Sequence, residues 1–261
     1  MKTLLTITTA VALGGALRIA AAAPTQGQWD VALLADPALS PQGVFHGGST
    51  GQVADLGGLN PTFSGTGATS ALNRTHFRDA LSNGVGIGIE VGIPVSDNLE
   101  PFAQLRYADL RGRTVTMGSV TPAGMAPADI TADFHDWRSV QLSLGARVYV
   151  SDSGRMRPYL QGFIGASRSG SLDAEVAAND LGVSLGNSEL LRPATRFEAG
   201  LASGVSYDVS QNAALRFQVG ADYVSAQHGY TSAFAPLGMD GIRVGDRRLD
   251  MSAALGAAYD F

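Results

Sequence analysis

Eight charged residues recur on the side of the chain where small and polar residues alternate with apolar ones. They are Glu90, Arg106, Arg147, Glu198, Arg216, Asp222, Arg248 and Asp250, and as a set they can neutralise one another. An isolated ion in a low-dielectric interior is very costly, so such residues call for pairing. Two uses fit: a polar core that fills space, or a gate in a narrow passage. If residues 95 and 101 face each other across the turn at 96–100, Glu90 falls opposite Arg106, and the two are expected to touch.

Other chemistry is sparse. The histidines His46, His76, His135 and His228 are scattered and make no metal-binding pair at helical spacing. With no cysteine, disulfide scaffolds, thiolate zinc sites and thiol catalysis are excluded. The stretch 200–204 places Ser203 at the wrong spacing for a nucleophile elbow. Gly84, Gly86 and Gly88 alternate within an extended run and do not open a helix, so they do not cradle phosphate. One enzymatic constellation stays open: His228 with Ser225 or Ser232, and Asp222 or Asp246, could support acyl chemistry on a lipid. Arginines form a second group at one end of the extended runs: Arg111, Arg113 and Arg247 foremost, with Arg138, Arg168, Arg192, Arg196, Arg243 and Arg248. A guanidinium holds phosphate bidentately, so these are candidate contacts to lipopolysaccharide phosphates.

The elements that would position these groups read clearly. Period-two alternation runs through 84–95, 101–110, 137–150, 158–168, 195–209, 213–227 and 248–261. Most of these runs exceed the 5 or 6 residues common in globular strands and suit a tilted crossing of a bilayer. Short connections alternate with long ones, the pattern of transmembrane barrels. Seven strands cannot close with both ends on one side, so an eighth must precede residue 84. The best candidate is 28–34, with a segment within 61–80 as its rival. Residues 35–83 then form a long irregular outer loop. Tyr207, Tyr259 and Phe261 are expected at one membrane interface and Trp137 at the other.

Only 16% of residues are charged, Gly contributes 33 of 261, and the net charge is −5. The low charge leaves one face of each strand apolar, and the acidic balance argues against nucleic acid as a partner. Residues 1–22 have the layout of a secretory signal peptide: Lys2, an apolar stretch, then small residues before a cut after Ala22.

The last strand ends in Phe261, with Tyr259, Ala257, Leu255, Ala253 and Met251 at alternate positions before it. This resembles the terminal strand of small Gram-negative outer-membrane β-barrels of the OmpA-like and OmpX-like superfamily, over about 84–261. The resemblance implies that Tyr259 and Phe261 are part of the signal read by the barrel assembly machinery. The two-domain OmpA arrangement, with a peptidoglycan-binding domain after the barrel, is not expected here.

The expected protein is therefore all-β: an eight-stranded antiparallel up-and-down transmembrane barrel over 23–261 with long extracellular loops, monomeric and in the outer membrane. Its partners would be outer-membrane lipid and lipopolysaccharide, with no cofactor and no enzymatic activity. The expected role is structural or in surface interaction. A narrow channel or carrier, a lipid-modifying enzyme and a secreted soluble sandwich remain as alternatives. In the last, the apolar rows would meet as a core between two sheets.

Overall fold

A computed structural model describes residues 28–151, 154–227 and 229–261. The expected leader at 1–22 lies outside the described residues. Eight strands form a closed antiparallel barrel: β1 (Asp30–Asp36), β2 (Leu81–Gly92), β3 (Leu99–Gly112), β4 (Trp137–Tyr149), β5 (Met156–Ser169), β6 (Ala194–Asp208), β7 (Ala213–Val224) and β8 (Arg248–Asp260). Each pairs with its neighbours in sequence, and β1 pairs with both β8 and β2, so no barrel edge is left open.

The apolar rows point outward. Leu33 (66% exposed), Leu144 (62%) and Leu201 (73%) belong to a belt that includes Ile87, Leu105, Leu142, Ile164, Phe217 and Leu255. In the sandwich arrangement these side chains would be the most buried of all, so the sandwich alternative is overturned. The opposite row faces the lumen, and its glycines have a steric role. Gly204 lies across from Tyr159, Gly200 from Phe163 and Gly145 from Phe102. A Cβ on Gly200 would sit 2.4 Å from the Phe163 ring, and one on Gly145 would sit 2.5 Å from Phe102. Each inward aromatic lies over the bare backbone of the next strand, which is how a narrow cylinder accommodates rings.

Several expectations need correction. The turn after β2 is tighter than anticipated: Val95 N–H donates to Leu99 O at 3.0 Å, and Gly92 faces Phe102. The register therefore shifts by two residues. Glu90 lies opposite Gln104, and Arg106 lies opposite Gly88. A shift of two keeps every side chain on its face and changes only its partner. Trp137 is buried, not at an outer interface, because it shares its parity with the lumen-facing Gln141 and Ser143.

The 35–83 connection, expected as a long irregular loop, contains strands, and so do the other long connections. One six-stranded sheet runs in the order Val183–Leu191, Leu172–Ala178, Ala128–Phe134, Thr114–Pro122, Ala68–Leu72, Ser49–Val53. A second runs in the order Gly229–Thr231, Ile242–Val244, Val44–His46, Thr75–His76. These pairings join different connections. Ala68–Leu72, inside the supposed 35–83 loop, is a strand because Gly118–Pro122 lies beside it. The two sheets contribute to one hydrophobic core that includes Phe45, Met117, Val120, Ile130, Phe134, Val176 and Val244. At one edge, Gly238 (φ +75°) closes against Ser49–Val53; a Cβ there would sit 2.2 Å from Gln52 O. The covered edge is shielded from pairing with another chain.

An aromatic chain ties this cap to the barrel. Phe134 meets Phe45 edge-on at 5.6 Å, Phe45 meets Phe77 at 5.6 Å, and Phe77 stacks on Trp137 at 6.1 Å. Replacing Ile130, fully buried in the cap, by alanine removes packed volume that the neighbours cannot refill. The Ile130→Ala protein is expected to lose about 2–4 kcal/mol of cap stability. Limited proteolysis should then cut between 113 and 136 while the barrel strands stay protected; equal resistance of variant and wild type would contradict this core.

Candidate functional site in the barrel lumen

The lumen holds Asp30, Asp36, Glu90, Glu100, Glu198, Asp208, Asp222 and Asp250 against Arg106, Arg147, Arg157, Arg196, Arg216 and Arg248. All eight expected residues lie inside, but acids outnumber arginines, so the anticipated neutral balance does not hold. Parity could have revealed the missed acids in β1: Asp30 and Asp36 alternate with the outward Val31 and Leu33. Glu100 and Arg157 fall just outside the alternating runs of the sequence, beside turn residues, whereas the strands extend to include them.

The lattice nearest the short turns is the densest. Arg147 donates to Glu100 at 2.6 Å, to Glu90 at 2.7 Å and to Gln161 at 3.1 Å. Arg216 forks onto both Asp30 oxygens at 2.8 and 2.9 Å and reaches Glu90 at 3.0 Å. The Tyr149 hydroxyl donates to Glu100 at 2.7 Å. Thus one carboxylate oxygen of Glu90 serves two guanidiniums, and three strands beyond the β2–β3 hairpin are locked to it. The Arg147 guanidinium also lies 4.7 Å from the Tyr159 ring centroid and 5.3 Å from that of Phe102. Nearby, Arg157 pairs with Asp208 at 2.9 Å.

Further along the lumen, Arg106 Nε donates to Asp36 at 2.9 Å, with Asp222 and Glu198 in its field. At the cap end Arg248 pairs with Asp250 at 2.7 Å. Arg196 and Arg248 lie 5.1 and 5.0 Å from the Trp137 ring. Arg196, expected at the rim, is turned inward by its parity, and Arg248, a candidate for both rim and lumen, lies in the lumen. Cavities in this column measure about 60 and 20 Å³. Those volumes suit a few waters at most. The lattice and the Trp137 stack therefore fill the barrel at two levels.

The remaining rim arginines are outside. Arg111, Arg113 and Arg247 are exposed. Arg111 lies across from Ser82, and Arg113 Nη1 donates to Arg78 O at 3.5 Å. Arg138 pairs with Asp109 at 3.5 Å, and Arg168 lies across from Val140. On three strands a guanidinium thus continues the apolar row at its cap end. At the other end, exposed aromatics finish the rows: Trp29, Tyr207, Tyr259 and Phe261, the last two edge-on at 5.0 Å.

The groups considered for acyl chemistry are dispersed. Asp222 is buried in the lumen, and the Ser225 hydroxyl accepts the Phe197 N–H. Ser232 and Asp246 line different clefts. His228 lies outside the described residues. Among the described residues the buried histidine is His46, whose Nδ1 accepts the Gly48 N–H at 3.0 Å and whose Nε2 has no partner there.

No protein-family model and no curated protein matches the chain. Among solved structures it is similar to Neisserial surface protein A, at 15% identity and TM-score 0.41, covering 90% of this chain and 98% of that one. It is also similar to the outer membrane protein OprG from Pseudomonas aeruginosa, at 15% identity and TM-score 0.42, covering 90% and 96%. A third is Ail, the attachment invasion locus protein of Yersinia pestis, in complex with the heparin analogue sucrose octasulfate. It matches at 11% identity and TM-score 0.37, covering 91% and 100%. Likeness at this level assigns the chain to no family.

Two outcomes are expected. Arg147→Met removes the nearest guanidinium from both Glu90 and Glu100, leaving Glu90 with Arg216 and Glu100 with Tyr149 as close donors, and should cost about 3–5 kcal/mol in urea unfolding from detergent micelles. Arg138→Met, which breaks an exposed pair, should cost under about 1 kcal/mol; equal effects would refute the burial argument. In the cap, burial pushes the His46 pKa down from 6.5 to about 4. Between those values the unfolded chain binds a proton that the folded cap refuses. His46 therefore leaves stability intact above pH 6.5 and erodes it as pH falls toward 4, by at most about 3 kcal/mol. The wild-type minus His46→Gln difference in unfolding free energy should shrink across that window; a flat difference would be the contrary result.

Proposed function

We propose that the chain is an integral outer-membrane barrel of the cell envelope with a structural or surface-interaction role. The observation that carries this is the outward apolar belt on a closed barrel. Fully burying one Leu or Phe side chain away from water is worth roughly 1.5–3 kcal/mol, and here a whole ring of them faces outward. In hydrocarbon the closed ladder leaves no backbone group unpaired, which is the condition for a strand protein to span a bilayer.

In this reading residues 1–22 direct export and the assembly machinery reads the last strand through Tyr259 and Phe261. The short turns face the periplasm and the cap stands on the cell surface. The outward arginines Arg111, Arg113, Arg138, Arg168 and Arg247 lie at the level of outer-leaflet lipid phosphates, which guanidiniums bind as forks. The packed lumen favours a protein that does not conduct, against the channel and carrier alternatives.

Three measurements test this. The protein should require detergent for extraction and migrate faster on gels before heating than after. Leu142→Arg, placing a charge in the middle of the belt, should cost about 2–4 kcal/mol. Planar bilayers should show no steady conductance; discrete channel openings would favour the channel reading instead. For the rim, Arg111→Gln/Arg113→Gln/Arg247→Gln should weaken lipopolysaccharide binding without changing the melting point, whereas undiminished affinity would remove these residues from the role.

A further inference from the structure

A cleft of about 740 Å³ lies beside the barrel rim where the edge strands of the two cap sheets approach. Val183–Leu191 forms one wall and Gly229–Thr231 the other. Among the described residues, side chains bridge them here: Thr231 Oγ1 donates to Glu189 O at 3.2 Å, and Gln227 Nε2 donates to Arg192 O. The walls therefore hold their spacing without closing into a ladder.

The lining has an unusual composition. Tyr230 is 71% exposed. Among the described cap residues it is the single exposed aromatic, since Phe45, Phe63, Phe77, Phe134 and Phe234 are packed in or against the core. Around it stand Ser188, Ser232 and an exposed ion pair, Arg192 with Glu189 at 3.3 Å. An aromatic face, hydroxyls and a planar charged pair, with no net charge between them, match a polyhydroxylated ring: apolar C–H faces to lie on the phenol and hydroxyls to bond with the edge. The volume falls within the range of small-molecule sites and admits a short oligomer.

We propose that this cleft binds a saccharide, with Tyr230 as the stacking platform and Arg192 and Glu189 as hydroxyl-reading groups. The inference depends on the membrane reading only for the source of the sugar. Next to the rim, in the range of a lipid headgroup, a lipid-linked glycan of the same leaflet could enter, as could a free surface glycan; the chemistry is the same for both.

The test titrates full-length protein in detergent micelles, by calorimetry, with two probes: deacylated lipopolysaccharide oligosaccharide and a lipid-free neutral oligosaccharide, maltotriose. Binding of at least one is expected, with Tyr230→Ala weakening it about tenfold or more and Tyr230→Phe retaining most of it. Preference for the first probe identifies the membrane's own glycan, and preference for the second a foreign one. Heat-dependent gel mobility of each variant separates misfolding from lost stacking. A protein that needs detergent, folds normally and binds neither probe, or binds equally well as Tyr230→Ala, overturns the saccharide site and leaves the membrane reading untouched. A protein soluble without detergent overturns the membrane reading while the titration still decides the cleft.

Discussion

Closure of the backbone ladder between β1 and β8 is the interaction on which the rest depends. Asp30 faces Asp260 and Ala35 faces Leu255 across that seam. With the seam closed, side-chain parity is fixed all round, so one row must point out and the other in. The outward belt, the inward glycines and the buried charges are consequences of that single topological fact. An open sheet of the same strands would expose unpaired backbone donors and acceptors on its two edges, which hydrocarbon does not tolerate.

Parity alone would leave a hollow cylinder. Two different devices fill it. Near the short turns, carboxylates shared between guanidiniums bind β1, β2, β3, β4 and β7 together. A buried pair of this kind contributes less net stability than its distances suggest, because desolvation offsets most of the attraction. What it does impose is a cost for losing either partner. At the far end the filling is aromatic: Trp137 receives Phe77 on one side and lies under two guanidiniums. Between them, Arg106, Glu198 and Asp222 line one small cavity together with Trp137 and Arg248.

The cap changes what the long connections are. Their strands pair across separate connections, so the outer part has a core of its own and shares Leu81, Leu110 and Trp137 with the barrel mouth. Surface segments anchored this way keep a fixed shape. That rigidity is what makes a cleft between two sheet edges meaningful, since its walls cannot collapse without disturbing both sheets.

The strand pattern, the face of most strand residues, the eight inward charges and the terminal aromatic row were legible in the amino-acid sequence because period two is a local property; Trp137 and Arg196, at strand ends, were the exceptions. Residues near in the chain suffice to reveal it. Partners were not legible. Glu90 meets Arg147 and Arg216 instead of Arg106, because a two-residue change in one turn preserves parity and moves every neighbour. The strands within 37–80 were hidden for the same reason: Ser, Thr and Gly runs such as Ala68–Leu72 have weak local preference and become strands only beside Gly118–Pro122. Sequence alone determined orientation, which each strand carries by itself. Tertiary structure decided contact, because a contact needs a second segment whose distance and register no single stretch encodes.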